Sequence, residues 1–311
     1  MRSNTPLDSA TDRGSSRTLL TNFEPASARK LLPFWDEPAR KATFTLSVVI
    51  PREETAVSNM PIAAATSTAG YAGRPDRAAF RAFALPLLDP VTARLGSSPQ
   101  RAEGSNLAVL RDQLAEARGE LGDPAVVRRA RLRVSDGFGS PADQRAALTV
   151  AAEHADAGEF DRLLARARST HDPLEKLHVY EALGTVENAA LAARLIALAI
   201  GGEMPTGVNI DVLRRLAEGH PDLVWDTAVP RFAEPSAAIP ESARRRLAMS
   251  IARQSSESRR IAELRAYAVH DVPADARKPF EGAIATIRQN VRIAQQVLPE
   301  LDAYIEAHTI H

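Results

Sequence analysis

The 311-residue sequence contains no cysteine. That excludes disulfide staples, a thiolate nucleophile and any zinc site built on cysteine. It has no surplus of either charge. Lysine plus arginine and aspartate plus glutamate each number 39, so no net field draws the chain to nucleic acid or to an anionic membrane. Long apolar runs are missing as well: the longest, Ala189 to Ile200, is interrupted by Arg194 and is too short to span a bilayer. The opening MRSNTPLDSATDRGSS has no apolar core of a secretory signal, so the expectation is a soluble, cytoplasmic chain. No G-x-x-x-x-G-K-(S/T), G-x-G-x-x-G or G-x-S-x-G motif is present, and Gly70-Tyr-Ala-Gly73 and Gly137-Phe-Gly139 read as turns without a phosphate-loop signal.

What is present falls into four stretches. Residues 1–17 are polar and unpatterned and read as a flexible lead-in. Residues 18–62 include a strand signal: Phe44, Leu46, Val48 and Ile50 alternate with Thr43, Thr45 and Ser47 before Pro51 stops the run. Thr55 to Val57 reads as a second short strand. So few strands need a covering layer, so this β segment is expected to be incomplete, with exposed edges. Residues 63–74 are small and unpatterned and read as a junction.

From residue 75 to 311 the composition turns to alanine, leucine and arginine with helical spacing. Leu107, Leu110, Leu114, Ala117 and Leu121 predict one buried stripe, Leu191, Leu195 and Leu198 another, and Ile284, Ile287, Val291, Ile293 and Val297 a third. Helix starts are written as a cap followed by proline at Asp123-Pro124, Ser140-Pro141, Asp172-Pro173 and His220-Pro221. Ser140 with Asp143 and Asp172 with Glu175 add the spacing of a capping box. Stops are expected at Gly122, Gly158, Gly184, Gly201 and Gly219. Signals one or two helices apart predict a mainly α fold, a solenoid of HEAT- or armadillo-like helical hairpins without a strict repeat.

One stretch is far more specific. Thr21-Asn22-Phe23-Glu24-Pro25, Pro33-Phe34-Trp35-Asp36-Glu37-Pro38-Ala39, Lys41-Ala42-Thr43-Phe44 and Ser58-Asn59-Met60-Pro61 stand in one order. Together they resemble the first domain of the M1 zinc aminopeptidases, the family of aminopeptidase N and the endoplasmic-reticulum aminopeptidases. The second half resembles that family's C-terminal helical domain more loosely. It does so through Gly119-Glu-Leu-Gly-Asp-Pro124, Phe160-Asp-Arg-Leu-Leu164, Leu174-Glu-Lys-Leu177, Ala182-Leu-Gly184, Ala199-Ile-Gly-Gly-Glu203, Leu223-Val-Trp225 and the Phe280–Tyr304 run. The resemblance implies a zinc cofactor, with hydrolysis by a zinc-bound water. That chemistry needs two histidines four apart on a helix, a third carboxylate ligand, and a Glu base in an HExxH motif.

These residues do not supply it. His154 is followed by Ala-Asp-Ala-Gly and His270 by Asp-Val-Pro-Ala, and the family's GAMEN strand is also absent. His171, Glu175 and His178 come nearest, yet His171 precedes the Asp172-Pro173 helix start, and Glu175 reads as a cap partner. His308 and His311 suit only adventitious metal on a fraying end. No catalytic residue, metal ligand or bound cofactor is therefore assigned. By resemblance, Glu24 matches the Glu that binds a substrate's free α-amine through a charge-assisted pair, and Asn22 stands at the neighbouring pocket position, where the family has Gln. Against this, Glu24 also reads as a solvated turn residue, and Asp36 and Glu37 as turn formers. Trp35 and Trp225 read as core anchors. The arginines at 244–246, 259 and 260, interleaved with Glu241, Glu257 and Glu263, read as a solvated helix face rather than a nucleic-acid patch.

The reading is an M1 aminopeptidase-like chain, inactive alone, whose helical region covers or binds peptide. Two alternatives stand beside it: a helical-repeat module for a peptide or protein partner, and a subunit completing an aminopeptidase whose zinc domain lies on another chain. Neither nucleic acid nor membrane is an expected partner.

Overall fold

The computed structural model describes residues 77–96, 105–136, 141–273 and 276–308. The expected strands at 43–50 and 55–57, the lead-in, the junction, and both Glu24 and Asn22 lie outside the described residues.

Among the described residues the structure is helical. The helices are α1 (Arg77–Leu95), α2 (Ser105–Glu120), α3 (Pro124–Asp136), α4 (Pro141–Glu153), α5 (Ala157–Ser169), α6 (Pro173–Leu183) and α7 (Ala189–Ile200). They continue as α8 (Val208–Gly219), α9 (Pro221–Ala228), α10 (Glu241–Ala252), α11 (Arg259–Asp271), α12 (Lys278–Arg292) and α13 (Leu298–His308). A π turn at Ile293–Val297 links the last two.

Several boundaries follow from local chemistry. The Asp123 carboxylate accepts from the amides of Ala125 and Val126 at the start of α3, and Asp172 accepts from that of Leu174 at the start of α6. Pro124, Pro173 and Pro221 each open a helix, where a missing N–H is harmless. His220 does not cap α9 with its side chain; its ring is used elsewhere. Glu175 also departs from the expected capping box: its carboxylate takes hydrogen bonds from Arg166 and Thr170. Gly158 is not a stop. It lies in the first turn of α5, between Asp156 and Glu159, which form a reciprocal capping box.

The helices pack in a regular order. Helix α3 lies against α4, α5 against α6, α7 against α8, α9 against α10 and α11 against α12. The even-numbered helices form a continuous series, α2 touching α4, then α6, α8, α10 and α12 in turn. One apolar core runs through this series from Leu148 to Ile287 and includes Phe160, Leu195, Leu213, Ile251 and Leu264, each essentially inaccessible. Two of the three expected stripes are visible in it, with Leu191, Leu195, Ile284 and Ile287 buried; of the first, Leu114 and Ala117 are only half-buried and Leu121 belongs to a separate cluster. A separate small cluster joins the two ends of the described chain: Phe80 of α1 and Leu121 meet Leu298 and Ile305 of α13.

Polar side chains tie the ends of the even helices together. Gly119 O at the end of α2 accepts from His154 Nε2 at 2.8 Å, 35 residues on. Val186 O, just after α6, accepts from His220 Nε2 at 2.8 Å, 34 residues on. Asp222 accepts from Ser255 Oγ at 2.8 Å, 33 residues on, and Ser255 O accepts from Asn290 Nδ2 at 3.1 Å, 35 residues on. Between the first two rungs, Glu153 O accepts from the Glu187 amide at 3.0 Å. Carbonyls at a helix C-terminus have no partner within their own helix, and the rungs at Gly119 and Val186 meet such carbonyls from the next pair of helices, whereas the Ser255 rung meets a carboxylate at the start of α9.

Candidate functional site

The ladder passes beneath a buried polar cluster. Glu153 ends α4, His154 follows it, and Glu187 sits in the turn before α7. Their ligand atoms lie within 4.8 Å of one another, the one group of three metal-capable side chains among the described residues. From α1, Arg77 donates to Glu187 Oε1 at 2.6 Å and Arg81 to Glu187 Oε2 at 3.1 Å. Arg81 also makes a close pair with Glu187 Oε1 and donates to Glu120 O at 2.8 Å. Glu153 is more distant, 3.7 Å from Arg77 and 4.0 Å from Arg81. The Nε–H groups of both arginines are buried with no acceptor.

Two glycines allow the cluster to assemble. At Gly119 an added Cβ would stand 2.6 Å from Val150 Cγ2, so α2 reaches α4 only because that position has no side chain. Gly122 adopts φ +75°, a left-handed turn after α2 that glycine accepts without strain.

Protons are placed by burial and charge. Burial, and then the Glu187 charge beside it, push Glu153 up to about 9, so it carries a proton at neutral pH. Burial alone would raise Glu187 too, but the hydrogen bond from Arg81 and the charges of Arg77 and Arg81 hold it below the usual carboxylate range. Burial lowers His154, against the opposing pull of Gly119 O and Glu187. Because a carbonyl only accepts, Nε2 of His154 carries its hydrogen, and Nδ1 faces Glu187 Oε2 at 3.8 Å.

This donor set suits guanidinium better than metal. Glu187 is already engaged by both arginines, and Glu153 holds a proton, so a dication would have to displace each of them. No local spacing marks this trio, because Glu187 comes from a different helical turn than Glu153 and His154. His171, Glu175 and His178, the nearest approach to a metal-ligand spacing in the sequence, do not converge.

A second cluster lies between α9 and α11. Arg260 is fully buried. Its guanidinium donates to Asp222 at 2.7 Å and to Asp226 at 3.0 Å, contacts Glu263, and lies 4.9 Å from the Trp225 ring centre. The expectation of a solvated arginine face therefore fails at Arg260. It holds at Arg259, which is exposed and paired with Asp226 and Glu263. Trp225 is a core residue, 7% exposed and edge-on to Tyr267. A shallow recess of about 420 Å³ beside Arg168, Lys176, Tyr180 and Glu203 is crossed by the Arg168–Glu203 pair at 2.6 Å.

The described residues thus form an all-helical scaffold with two arginine–carboxylate clusters. Comparison with known families is specific. A family model described as ERAP1-like C-terminal domain matches residues 44–289, and one described as Peptidase M1 N-terminal domain matches residues 8–72. Aminopeptidase N of Acetobacter pasteurianus is 41% identical over 106 residues, 34% of this chain and 30% of that protein. Aminopeptidase M1 of Arabidopsis thaliana is 56% identical over 43 residues, 14% of this chain and 5% of that protein. Human glutamyl aminopeptidase is 46% identical over 54 residues, 17% of this chain and 6% of that protein. The chain belongs to the M1 aminopeptidase family, with an ERAP1-like C-terminal domain over most of its length. It spans less than a third of the length of these relatives. Among the described residues no helix is long and apolar enough to cross a membrane.

Proposed function

We propose that these 311 residues form an aminopeptidase-like protein that does not hydrolyse peptides by itself and whose helical region acts as a peptide-facing solenoid. The observation that carries the reading is the match of residues 44–289 to an M1-type C-terminal domain in a sequence without an HExxH pair. A zinc-bound water needs at least three protein ligands around the metal. The donor trio at Glu153, His154 and Glu187 is committed to arginines and a proton instead.

The solenoid reading is supported by the series of even helices and by rungs joining residues 33 to 37 apart. A recurring two-helix unit of that length, each contacting its neighbours, is the arrangement of helical-repeat proteins, which bind extended ligands along a curved face. In the family such a domain covers a peptide-filled cavity. Glu24 remains the proposed contact for a peptide α-amine, with Asn22 beside it.

The test is direct. The purified chain is assayed with aminoacyl-anilide substrates, with and without added zinc, and its metal content is measured. No turnover and no stoichiometric zinc are expected; turnover abolished by a chelator would overturn the reading. Anisotropy with labelled peptides tests the peptide-facing half independently of hydrolysis.

A further inference from the structure

The α1 cluster divides into an acceptor and an occupant. The acceptor comes from the helical series: Glu120 O at the end of α2, the Glu153 carboxyl at the end of α4, and the Glu187 carboxylate before α7. The occupant is two guanidinium groups, both from α1, which precedes that series by sequence and joins the acceptor only across more than 100 residues for the Glu187 contacts. Acceptor atoms gather there for a physical reason. Helix C-termini present unpaired carbonyls and the negative end of the helix dipole, so a cation is favoured.

The occupant fits imperfectly. Nη2 of Arg77 and both terminal nitrogens of Arg81 are met, but the Nε–H donors of both arginines are buried without a partner. A buried donor left bare costs on the order of 1–3 kcal/mol. The helix carrying them buries only Phe80 fully, with Phe83, Ala84, Leu85 and Leu88 half-buried beside it and Arg118 bonded to Asp89 and Thr92, and Pro86 and Pro90 interrupt its backbone hydrogen bonding. Leu87 is 58% exposed. An acceptor that is well formed, filled by two guanidinium groups with unmet donors on a helix that two prolines interrupt, is the arrangement of an internal competitor.

We propose that Glu153, Glu187 and the Glu120 carbonyl form a receptor for an arginine side chain, which α1 fills from within and from which an arginine-bearing peptide displaces it. The inference rests on the peptide-facing reading above and names the side-chain class it selects. Planar, bidentate recognition favours arginine over lysine here, because the two oxygens of Glu187 meet the two terminal nitrogens of Arg81 as a fork. While α1 is docked, apparent affinity is reduced by the fraction of molecules whose receptor is free.

The experiment uses the whole chain and a labelled alanine-based peptide carrying two arginines one helical turn apart, beside a counterpart with glutamines. Fluorescence anisotropy compares wild type with the Arg77→Gln/Arg81→Gln variant, and with that variant also carrying Glu187→Gln. The double variant is expected to bind the arginine peptide about tenfold tighter than wild type, a 1.4 kcal/mol gain. The glutamine peptide should show no such gain, and Glu187→Gln should remove it. Hydrogen exchange on wild type guards against misfolding of the variants: saturating arginine peptide should speed exchange of the α1 amides. If both peptides bind but ignore the α1 substitutions and leave α1 exchange unchanged, this proposal fails and the peptide-facing reading stands. If no peptide binds, both fail.

Discussion

Two arginine–carboxylate clusters in one molecule resolve the same problem differently. Between α9 and α11, Arg260 is fully buried, paired with Asp222, Asp226 and Glu263, and stacked on Trp225, while Ser255 completes Asp222. Beneath α1, Arg77 and Arg81 crowd one carboxylate, leave both Nε–H groups bare, and stand beside a carboxyl that keeps its proton. The first arrangement locks two helices that are already part of the core. The second holds an arm against the series and is open to exchange. Burial of an ion pair is therefore not by itself a measure of strength; completeness of its hydrogen bonding is.

The sharpest way to break the comparison is to remove one arginine from each cluster. Arg260→Ala empties a fully buried position against Trp225 and takes the arginine partner from Asp222, and should cost about 2–5 kcal/mol in urea unfolding. Arg77→Ala removes a bare donor along with its pair and should cost no more than about 1 kcal/mol. Equal losses would erase the distinction.

Titration sharpens it next. The folded pKa of Glu153 lies above its unfolded value, so its contribution is intact below the ordinary glutamate range and is lost as pH rises towards about 9. Glu153→Gln keeps the neutral form at every pH. Relative to wild type it should gain on the order of 2 kcal/mol at pH 9 over its effect at pH 5, measured by denaturation at both values. A difference independent of pH would show that the carboxyl does not hold its proton.

The ladder gives a smaller effect. His220→Ala strips the acceptor Val186 O of its partner and should cost about 1–3 kcal/mol, measured by thermal unfolding. His178→Ala, in the trio that does not converge, should change stability by less than about 0.5 kcal/mol and leave metal content unaltered.

Much of the helical half was legible because its punctuation is local. Asp123, Asp172 and the prolines after them announce helix starts through contacts two or three residues away. Gly158 misled because glycine is read as a stop, although Asp156 and Glu159 around it spell a capping box. The ladder was hidden for another reason: its side chains recur one or two helical units apart and differ in type, His154, His220 and Asn290 donating to carbonyls and Ser255 to a carboxylate. Arg260 was hidden by its neighbours, since glutamates beside arginines look the same whether solvated or buried. The α1 cluster depends on a contact spanning 110 residues, which no local pattern encodes.

Native-state hydrogen exchange of the intact chain tests the central distinction most directly. The account predicts that α1 amides open at least about 2 kcal/mol more easily than those of α9 and α11. Equal protection of the three helices would contradict it, and the α1 arginines would then be as fixed as Arg260.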